Sequence, residues 1–169
     1  MSGMIALANS MRQLGQSTVS DVTETNPFVI YRERLDSYSQ ALAAGWSDQQ
    51  FVDLVLRLDR EIETIDGTGF CTTPVFDGTE LAVALNLDVQ LNVKVEINSV
   101  GGSHKARHLF GVALHLALET AAQDVSSRPL AIASCGNAAI AAAIVAKAVR
   151  RPIEVFVPVW AEKAALALL

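Results

Sequence analysis

The chain has 169 residues, of which 51% are hydrophobic, and its formal net charge is −5. Its length and apolar content suffice for one good core, whereas its acidic balance and scattered basic residues argue against nucleic acid or an anionic membrane as a partner. Cys71 and Cys135 follow no secretory signal, which predicts reduced thiols and a cytoplasmic location. The stretch 130–146 carries no charge, but Gly136 and Asn137 within it predict a turn between a buried strand and a helix rather than a membrane span.

The first 72 residues predict an arm followed by helices. Residues 1–25 are polar and weakly periodic, which indicates a loose N-terminal arm. Residues 26–72 form a helical N-terminal segment. Its first helix is expected to begin at Asn26-Pro27, with Asn as cap and Pro at the first helical position, and to continue to about Ala44. Ser47 is expected to cap a second, amphipathic helix over residues 48–66.

The middle of the chain alternates extended and helical patterns. Residues 70–76 are expected to be extended around Pro74, and residues 77–87 to contain a short helix. Residues 91–97 alternate apolar and polar side chains, as a strand does. Apolar residues then recur at helical spacing from Leu109 to Ala121, which predicts a long helix.

A glycine turn presents a lysine at the start of that long helix. The sequence of residues 101–107 is Gly-Gly-Ser-His-Lys-Ala-Arg, which places Lys105 in the first helical turn. Free backbone N–H groups and the helix dipole create positive potential there. Such a potential favours the neutral amine, and a neutral lysine amine is the form that attacks carbonyl groups. An ordinary surface lysine after a loop is the alternative interpretation.

A second polar turn lies between a strand and a helix. The apolar run 130–133 ends in residues 134–137, Ser-Cys-Gly-Asn, and an alanine-rich helix and the strand pattern 153–158 follow. Strand, turn, helix and strand in this order predict a β-α-β unit of a parallel sheet. Ligands of such sheets bind at the carboxyl ends of the strands, where the turn 134–137 is expected to lie. A simple β-α turn without a ligand is the alternative.

Taken together, these stretches resemble the fold type II, or tryptophan synthase β-like, family of pyridoxal-phosphate enzymes, which includes threonine-synthase, cysteine-synthase and dehydratase-like members. That family has a Lys-x-Glu strand, a Gly-Ser-x-Lys-x-Arg segment and a Ser-x-Gly-Asn turn. These motifs are matched in order by residues 94–96, 102–107 and 134–137. A Thr-Pro pair before the first sheet strand is matched by Thr73-Pro74, and the proline that ends a later strand by Pro158.

The resemblance implies an α/β fold, a three-layer αβα arrangement with a parallel sheet, in which residues 73–169 are the N-terminal part of the cofactor domain. The family's glycine-rich phosphate loop and the residue opposite the pyridine nitrogen match nothing in these 169 residues. The chain is therefore expected to be truncated and inactive alone, and the complete protein to be a homodimer.

The resemblance also implies roles for individual residues. Lys105 would form a Schiff base with the aldehyde of pyridoxal 5'-phosphate and later move protons at the substrate Cα. Asn137 would hydrogen-bond the phenolic oxygen of the cofactor, and His104 would contact its phosphate. Backbone N–H groups at the start of the next helix would bind the substrate carboxylate, and the residues concerned are Ser134, Cys135, Gly136 and Ala138.

Two departures from the family pattern bear on the reaction. His104 stands where many members have Phe, as in tryptophan-synthase-like members, and Ala106 stands where many have Asp. The favoured reaction is α,β-elimination or replacement on a hydroxy amino acid, serine or threonine or an activated derivative. Which amino acid is used, and whether the reaction is elimination, replacement or racemisation, stays open. A catalytically inactive interaction or dimerisation module is the alternative function.

Neither a metal site nor a catalytic arginine is predicted. His108 and His115 lie on the Lys105 helix without partners at metal-ligand spacing, so both are interpreted as structural. Arg107 is interpreted as the partner of a structural ion pair rather than a catalyst.

Overall fold

The computed structural model describes residues 25–122, 128–161, 163–167 and 169. These residues form a mixed α/β arrangement, which confirms the predicted class in its coarse form. The predicted N-terminal arm lies outside the described residues, except for Thr25. In chain order the elements are α1 (Pro27–Ile30), a 3-10 turn (Arg32–Arg34), α2 (Asp36–Ala43), α3 (Asp48–Asp66), β1 (Val75–Asp77), α4 (Thr79–Ala84), β2 (Asn92–Lys94), a 3-10 turn (Val100–Gly102), α5 (Lys105–Ala122), β3 (Leu130–Ala133), α6 (Asn137–Ala148), β4 (Ile153–Phe156) and α7 (Lys163–Leu166).

The predicted continuous helix from Asn26 to Ala44 is wrong, although its start is confirmed. The Asn26 side chain accepts a hydrogen bond from the N–H of Phe28 at 2.8 Å and caps α1. The helix then ends after Ile30, and Leu35 is extended at φ −95° and ψ 130° before α2 begins. At this break the Arg32 guanidinium donates to the carbonyl of Val29 at the end of α1 and to the Asp48 carboxylate.

Helix α3 has the predicted bounds because strong signals define both of its ends. The Ser47 hydroxyl accepts from the N–H of Gln50, and the Gln50 side chain accepts from the N–H of Ser47, which forms a capping box. Gly67 ends the helix in the left-handed conformation, at φ 80°. Its apolar face is buried as predicted, and the buried residues are Phe51, Leu54, Val55, Leu58 and Ile62.

The strands of the described residues form two separate two-stranded sheets. Strands β3 and β4, which precede and follow α6 in the chain, pair in parallel, and this confirms the predicted β-α-β unit. Strand β2 pairs antiparallel with β1, from Val75 opposite Lys94 to Asp77 opposite Asn92. The strand that precedes the glycine turn therefore belongs to a small antiparallel pair and not to the sheet of β3 and β4.

The core lies where α3, α5 and α6 pack together. An aromatic cluster closes it, in which the Phe110 ring of α5 contacts Phe28 and Phe70 with centroid separations of 4.6 and 4.7 Å. Phe110 is fully buried. This packing fixes the first turns of α5, the helix that begins with Lys105.

Candidate functional site

The turn that precedes Lys105 adopts the left-handed conformation at two successive residues. Gly101 has φ 64° and Gly102 has φ 66°, values that residues with a side chain rarely adopt. The N–H of Gly102 donates to the carbonyl of Ser99 at 2.8 Å, and the N–H of Gly101 donates to Oδ2 of Asp66 at 3.0 Å. The left-handed backbone conformation therefore requires glycine at both positions, and Gly101 is hydrogen-bonded to the last residue of α3.

Gly101 also contacts helix α6 closely. A Cβ placed on Gly101 would lie 3.4 Å from Cδ1 of Ile144 and 3.8 Å from Cα of Ala141. The glycine turn therefore packs directly on the middle of the helix that begins with Asn137.

Replacing Gly101 by alanine is expected to lower the free energy of unfolding by about 1–2 kcal/mol, because a Cβ is strained at positive φ. The matched control is Gly111→Ala in the interior of α5, where a Cβ meets nothing within 4 Å. That change is expected to raise the free energy of unfolding by about 0.4–1 kcal/mol through helix propensity. Urea denaturation measures whether the two variants change the free energy of unfolding in opposite directions. An unchanged free energy of unfolding in Gly101→Ala would contradict the described turn.

Lys105 is the first residue of α5, and its side chain is exposed. The hydroxyl of Ser103, which is buried, accepts from the N–H of Lys105 at 3.4 Å. His104 is exposed beside it, and its carbonyl accepts from the N–H of Arg107. The lysine amine is therefore accessible to solutes, while the backbone beneath it is anchored.

The turn after β3 lies at the carboxyl end of the parallel pair. The N–H of Ser134 donates to the carbonyl of Phe156 at 3.1 Å, which continues the pairing of β3 and β4 to this point. Gly136 occupies the N-cap position of α6, and its carbonyl accepts from the N–H groups of Ala139 and Ile140. Asn137 is exposed and Cys135 is half-buried, so the side chains of this turn reach the surface beside the free first N–H groups of the helix.

Helices α5 and α6 run side by side in the same direction. The glycine turn before α5 packs on the middle of α6, whereas Leu116 and Thr120 near the end of α5 share a cleft with Val149 just beyond α6. The starts of both helices consequently lie at the same end of the pair. Lys105 and Asn137 are the first residues of these two helices, so the structure brings them to the same end.

A partly buried polar network holds the first turn of α5 against the residues just before β1 and at the end of β2. Arg107 donates to Oε2 of Glu96 at 3.0 Å and to the carbonyl of Cys71 at 2.9 Å. The hydroxyl of Thr73, also buried, donates to Oε1 of Glu96 at 2.7 Å, and Lys94 lies 3.4 Å from the same oxygen. Arg107 therefore forms the ion pair that the sequence predicts, and the network fixes the rotation of α5 two residues after Lys105.

Burial raises the pKa of Glu96. Hydrogen bonds from Thr73 and Arg107 and the charge of Arg107 lower the pKa by more, so that it lies below the ordinary value of 4.5. A carboxyl whose pKa is lowered on folding stabilises the fold above its unfolded pKa, and this contribution is lost as the pH falls through the lowered value.

Glu96→Gln is expected to reduce the free energy of unfolding at pH 7 by about 1.5–3 kcal/mol, the size of a hydrogen bond to a charged group. The difference from the wild type should begin to shrink as the pH falls below the ordinary value of 4.5. Chemical denaturation between pH 7 and pH 3 measures this difference. A gap that stays constant across the range would show that the Glu96 charge does not stabilise the fold.

Two clefts among the described residues lie away from this end of the helix pair. One, of about 430 Å³, lies near the carboxyl ends of α5 and α6 and includes Arg57 and Arg150. The other, of about 130 Å³, is an apolar groove between α5, α6 and β3. Neither is lined by Lys105 or by residues 134–138.

Sequence reasoning missed two parts of this site. Asp66 carries no motif, and it meets Gly101 only through a contact between residues 35 positions apart. The network of Glu96 with Thr73 was also missed. A signal for it existed, since the alternation of residues 91–97 places Lys94 and Glu96 on the same face of a strand.

Comparison of the chain with family models, with curated proteins and with solved structures gave no match. In the described part of the chain, no helix is long and apolar enough to cross a bilayer. The same residues contain no group of three or more His, Cys, Asp or Glu side chains that could hold a metal ion.

Proposed function

We propose that this chain carries the lysine-bearing part of a pyridoxal-phosphate site that acts on amino acids, with Lys105 as the residue that holds the cofactor. One observation carries the proposal. Lys105 begins α5 after a left-handed glycine turn, and that turn packs on the helix that Asn137 begins. The two motifs of the resemblance, far apart in sequence, thus belong to one packed unit.

The residues at this end of the helix pair fit the chemistry of the cofactor. An aldehyde needs an accessible amine, and Lys105 is exposed. A Cβ on Gly102 or on Gly136 would meet nothing within 4 Å, so the backbone on both sides is open to a ligand. Anionic groups are favoured at the start of a helix, where N–H groups point outward without partners in the helix.

Each residue of the turn has a role in the proposal. Lys105 would hold the cofactor through its amine and would move a proton at the substrate Cα. Asn137 would orient the cofactor ring by a hydrogen bond, and His104 would help to hold the phosphate. The N–H groups of residues 134–138 bind the substrate carboxylate. Pyridoxal phosphate, when bound, supplies an electron sink for the bond that breaks at Cα.

The reaction that we propose is α,β-elimination or replacement on a hydroxy amino acid such as serine or threonine, or on an activated derivative. Its support is the Lys-x-Glu, Gly-Ser-x-Lys-x-Arg and Ser-x-Gly-Asn motifs, which stand in the order of the family that the chain resembles. The substrate class follows from that resemblance.

Reductive trapping tests the proposal directly. The product of the complete gene is incubated with pyridoxal phosphate, reduced with borohydride and digested, and the modified lysine is identified by mass spectrometry. The described lysines are Lys94, Lys105, Lys147 and Lys163. We expect a stoichiometric adduct at Lys105. An adduct spread over the other three lysines, or none at all, would refute the assignment.

A second candidate function, an interaction or dimerisation module without catalysis, is favoured by apolar side chains that reach the surface at and after β4. Phe156 is 59% exposed and Trp160 is 75% exposed. Exposed aromatic residues of this kind are typical of protein contacts. Under this alternative, the wild type dimerises without binding the cofactor, and Trp160→Ser lowers the dimer fraction. Light scattering measures the dimer fraction, and visible absorbance after addition of pyridoxal phosphate separates the two functions, since only the enzyme binds the cofactor.

A further inference from the structure

Asp66 connects the end of α3 to the glycine turn. It is the last residue of α3, and its Oδ2 accepts the N–H of Gly101 at 3.0 Å. The bond is partly buried, and it reaches the first of the two left-handed glycines that precede Lys105.

The position of Asp66 is unfavourable for the helix itself. The last turn of a helix carries partial negative charge, so a carboxylate is disfavoured there and a basic side chain is preferred. The last turn of α3 contains no basic residue. A residue that breaks a local rule is expected to serve another contact, and here that contact is the amide of Gly101.

A glycine pair needs such a contact if it is to hold one conformation. Glycine has the greatest conformational freedom of any residue, and two in succession leave the backbone before α5 poorly defined. The bond from Gly102 to Ser99 closes the turn on itself, and contact with Ile144 limits it on one side, but a van der Waals contact has no direction. The hydrogen bond to Asp66 is directional and charge-assisted, so it orients the peptide plane of Gly101.

We propose that Asp66 is a positioning residue for Lys105, which acts by fixing the glycine turn; this role rests on the proposed function of Lys105. Placement of a reacting group matters because a displacement of about 1 Å can cost about 100-fold in rate. Asp66 stabilises the conformation from which the lysine amine meets a bound aldehyde, without touching the ligand itself.

The test compares Asp66→Ala and Asp66→Asn with the wild type in the product of the complete gene. The asparagine amide oxygen still accepts a hydrogen bond, so this variant should restore the contact. Glu63→Ala is the matched control, because Glu63 is an exposed acidic residue one turn earlier on α3. Two quantities are measured: the exchange rate of the Gly101 amide hydrogen without cofactor, and the rate at which pyridoxal phosphate forms a borohydride-reducible adduct at Lys105.

For Asp66→Ala we expect amide exchange about tenfold faster and adduct formation about tenfold slower, as expected for the loss of one charge-assisted hydrogen bond. Asp66→Asn should stay within about threefold of the wild type, and Glu63→Ala should match it. Unchanged rates in Asp66→Ala overturn the proposal. Loss of the far-ultraviolet circular dichroism of Asp66→Ala also overturns it, since Asp66 would then support the whole fold.

The two proposals fail in different ways. If the wild type forms no adduct at Lys105, the proposed function fails, and the exchange rates alone decide whether Asp66 fixes the turn. If the wild type forms the adduct and Asp66→Ala forms it equally fast, the proposed function stands and the positioning role is refuted.

Discussion

Lys105→Ala is expected to abolish covalent attachment of pyridoxal phosphate to the product of the complete gene. Lys105 begins α5 after the glycine turn that packs on α6, and its exposed amine is the group in the proposed site that can react with an aldehyde. Loss of a residue that both holds the cofactor and moves a proton should lower turnover by at least about 10³-fold, given that proton transfer alone contributes about 10²–10⁴. Visible absorbance and mass analysis after borohydride reduction measure the attachment.

Two further variants separate this role from the charge of the side chain. Lys105→Arg retains a cation at the start of the helix, but a guanidinium stays protonated and does not react with the aldehyde, so attachment should again be lost. Lys147→Ala is the matched control, since Lys147 is an exposed lysine in the last turn of α6. Attachment that survives in Lys105→Ala and disappears in Lys147→Ala would show that the proposed site is misplaced.

The sequence predicts correctly the elements whose beginning and end are both marked by local signals. The capping box at Ser47 and the left-handed Gly67 fix α3, and the pattern of strand, polar turn and alanine-rich helix predicts the parallel pair of β3 and β4. The residues that set α3 are neighbours in the chain, and the order of strand, turn, helix and strand sets the parallel pair. Propensity, capping and periodicity then all indicate the same local structure.

The prediction failed where a distant contact decides the structure. At the interruption after Ile30, the Arg32 guanidinium binds Asp48, which belongs to α3. Likewise, nothing in residues 91–97 shows that β2 pairs antiparallel with β1. Side chains that meet across 16 or more positions leave no periodic signal in a single sequence.

The candidate site divides in the same way. The motifs around Lys105 and Asn137 could be recognised, because each is a short run next to a predicted strand or helix. Asp66 could not, because it supports the glycine turn from another element, and the alternation of residues 91–97 indicated the shared face of Lys94 and Glu96 but not the bond from Thr73. Which residues support a site depends on how distant elements pack, so these residues can be identified only once the fold is known.

Packing beneath α5 gives the largest effect on stability that we expect. Phe110 is fully buried and lies in the aromatic cluster with Phe28 and Phe70, which joins α5 to the N-terminal segment and to the stretch after α3. Phe110→Ala removes a ring from this cluster and should lower the free energy of unfolding by about 3–5 kcal/mol. A loss of this size is a large share of the stability of an ordinary domain, which is about 5–15 kcal/mol.

The size of the loss should depend on the volume removed at Phe110. Phe110→Leu retains most of the apolar contact and should cost clearly less, about 1–2 kcal/mol. Val112→Ala trims an apolar side chain that is 42% exposed on the same helix, and it should change stability by no more than about 0.5 kcal/mol. Urea denaturation of the three variants ranks them. If Phe110→Ala lowers the free energy of unfolding by less than about 1 kcal/mol, the aromatic cluster does not hold α5. The first turn of α5, which carries Lys105, would then depend on the Arg107 network and on Asp66.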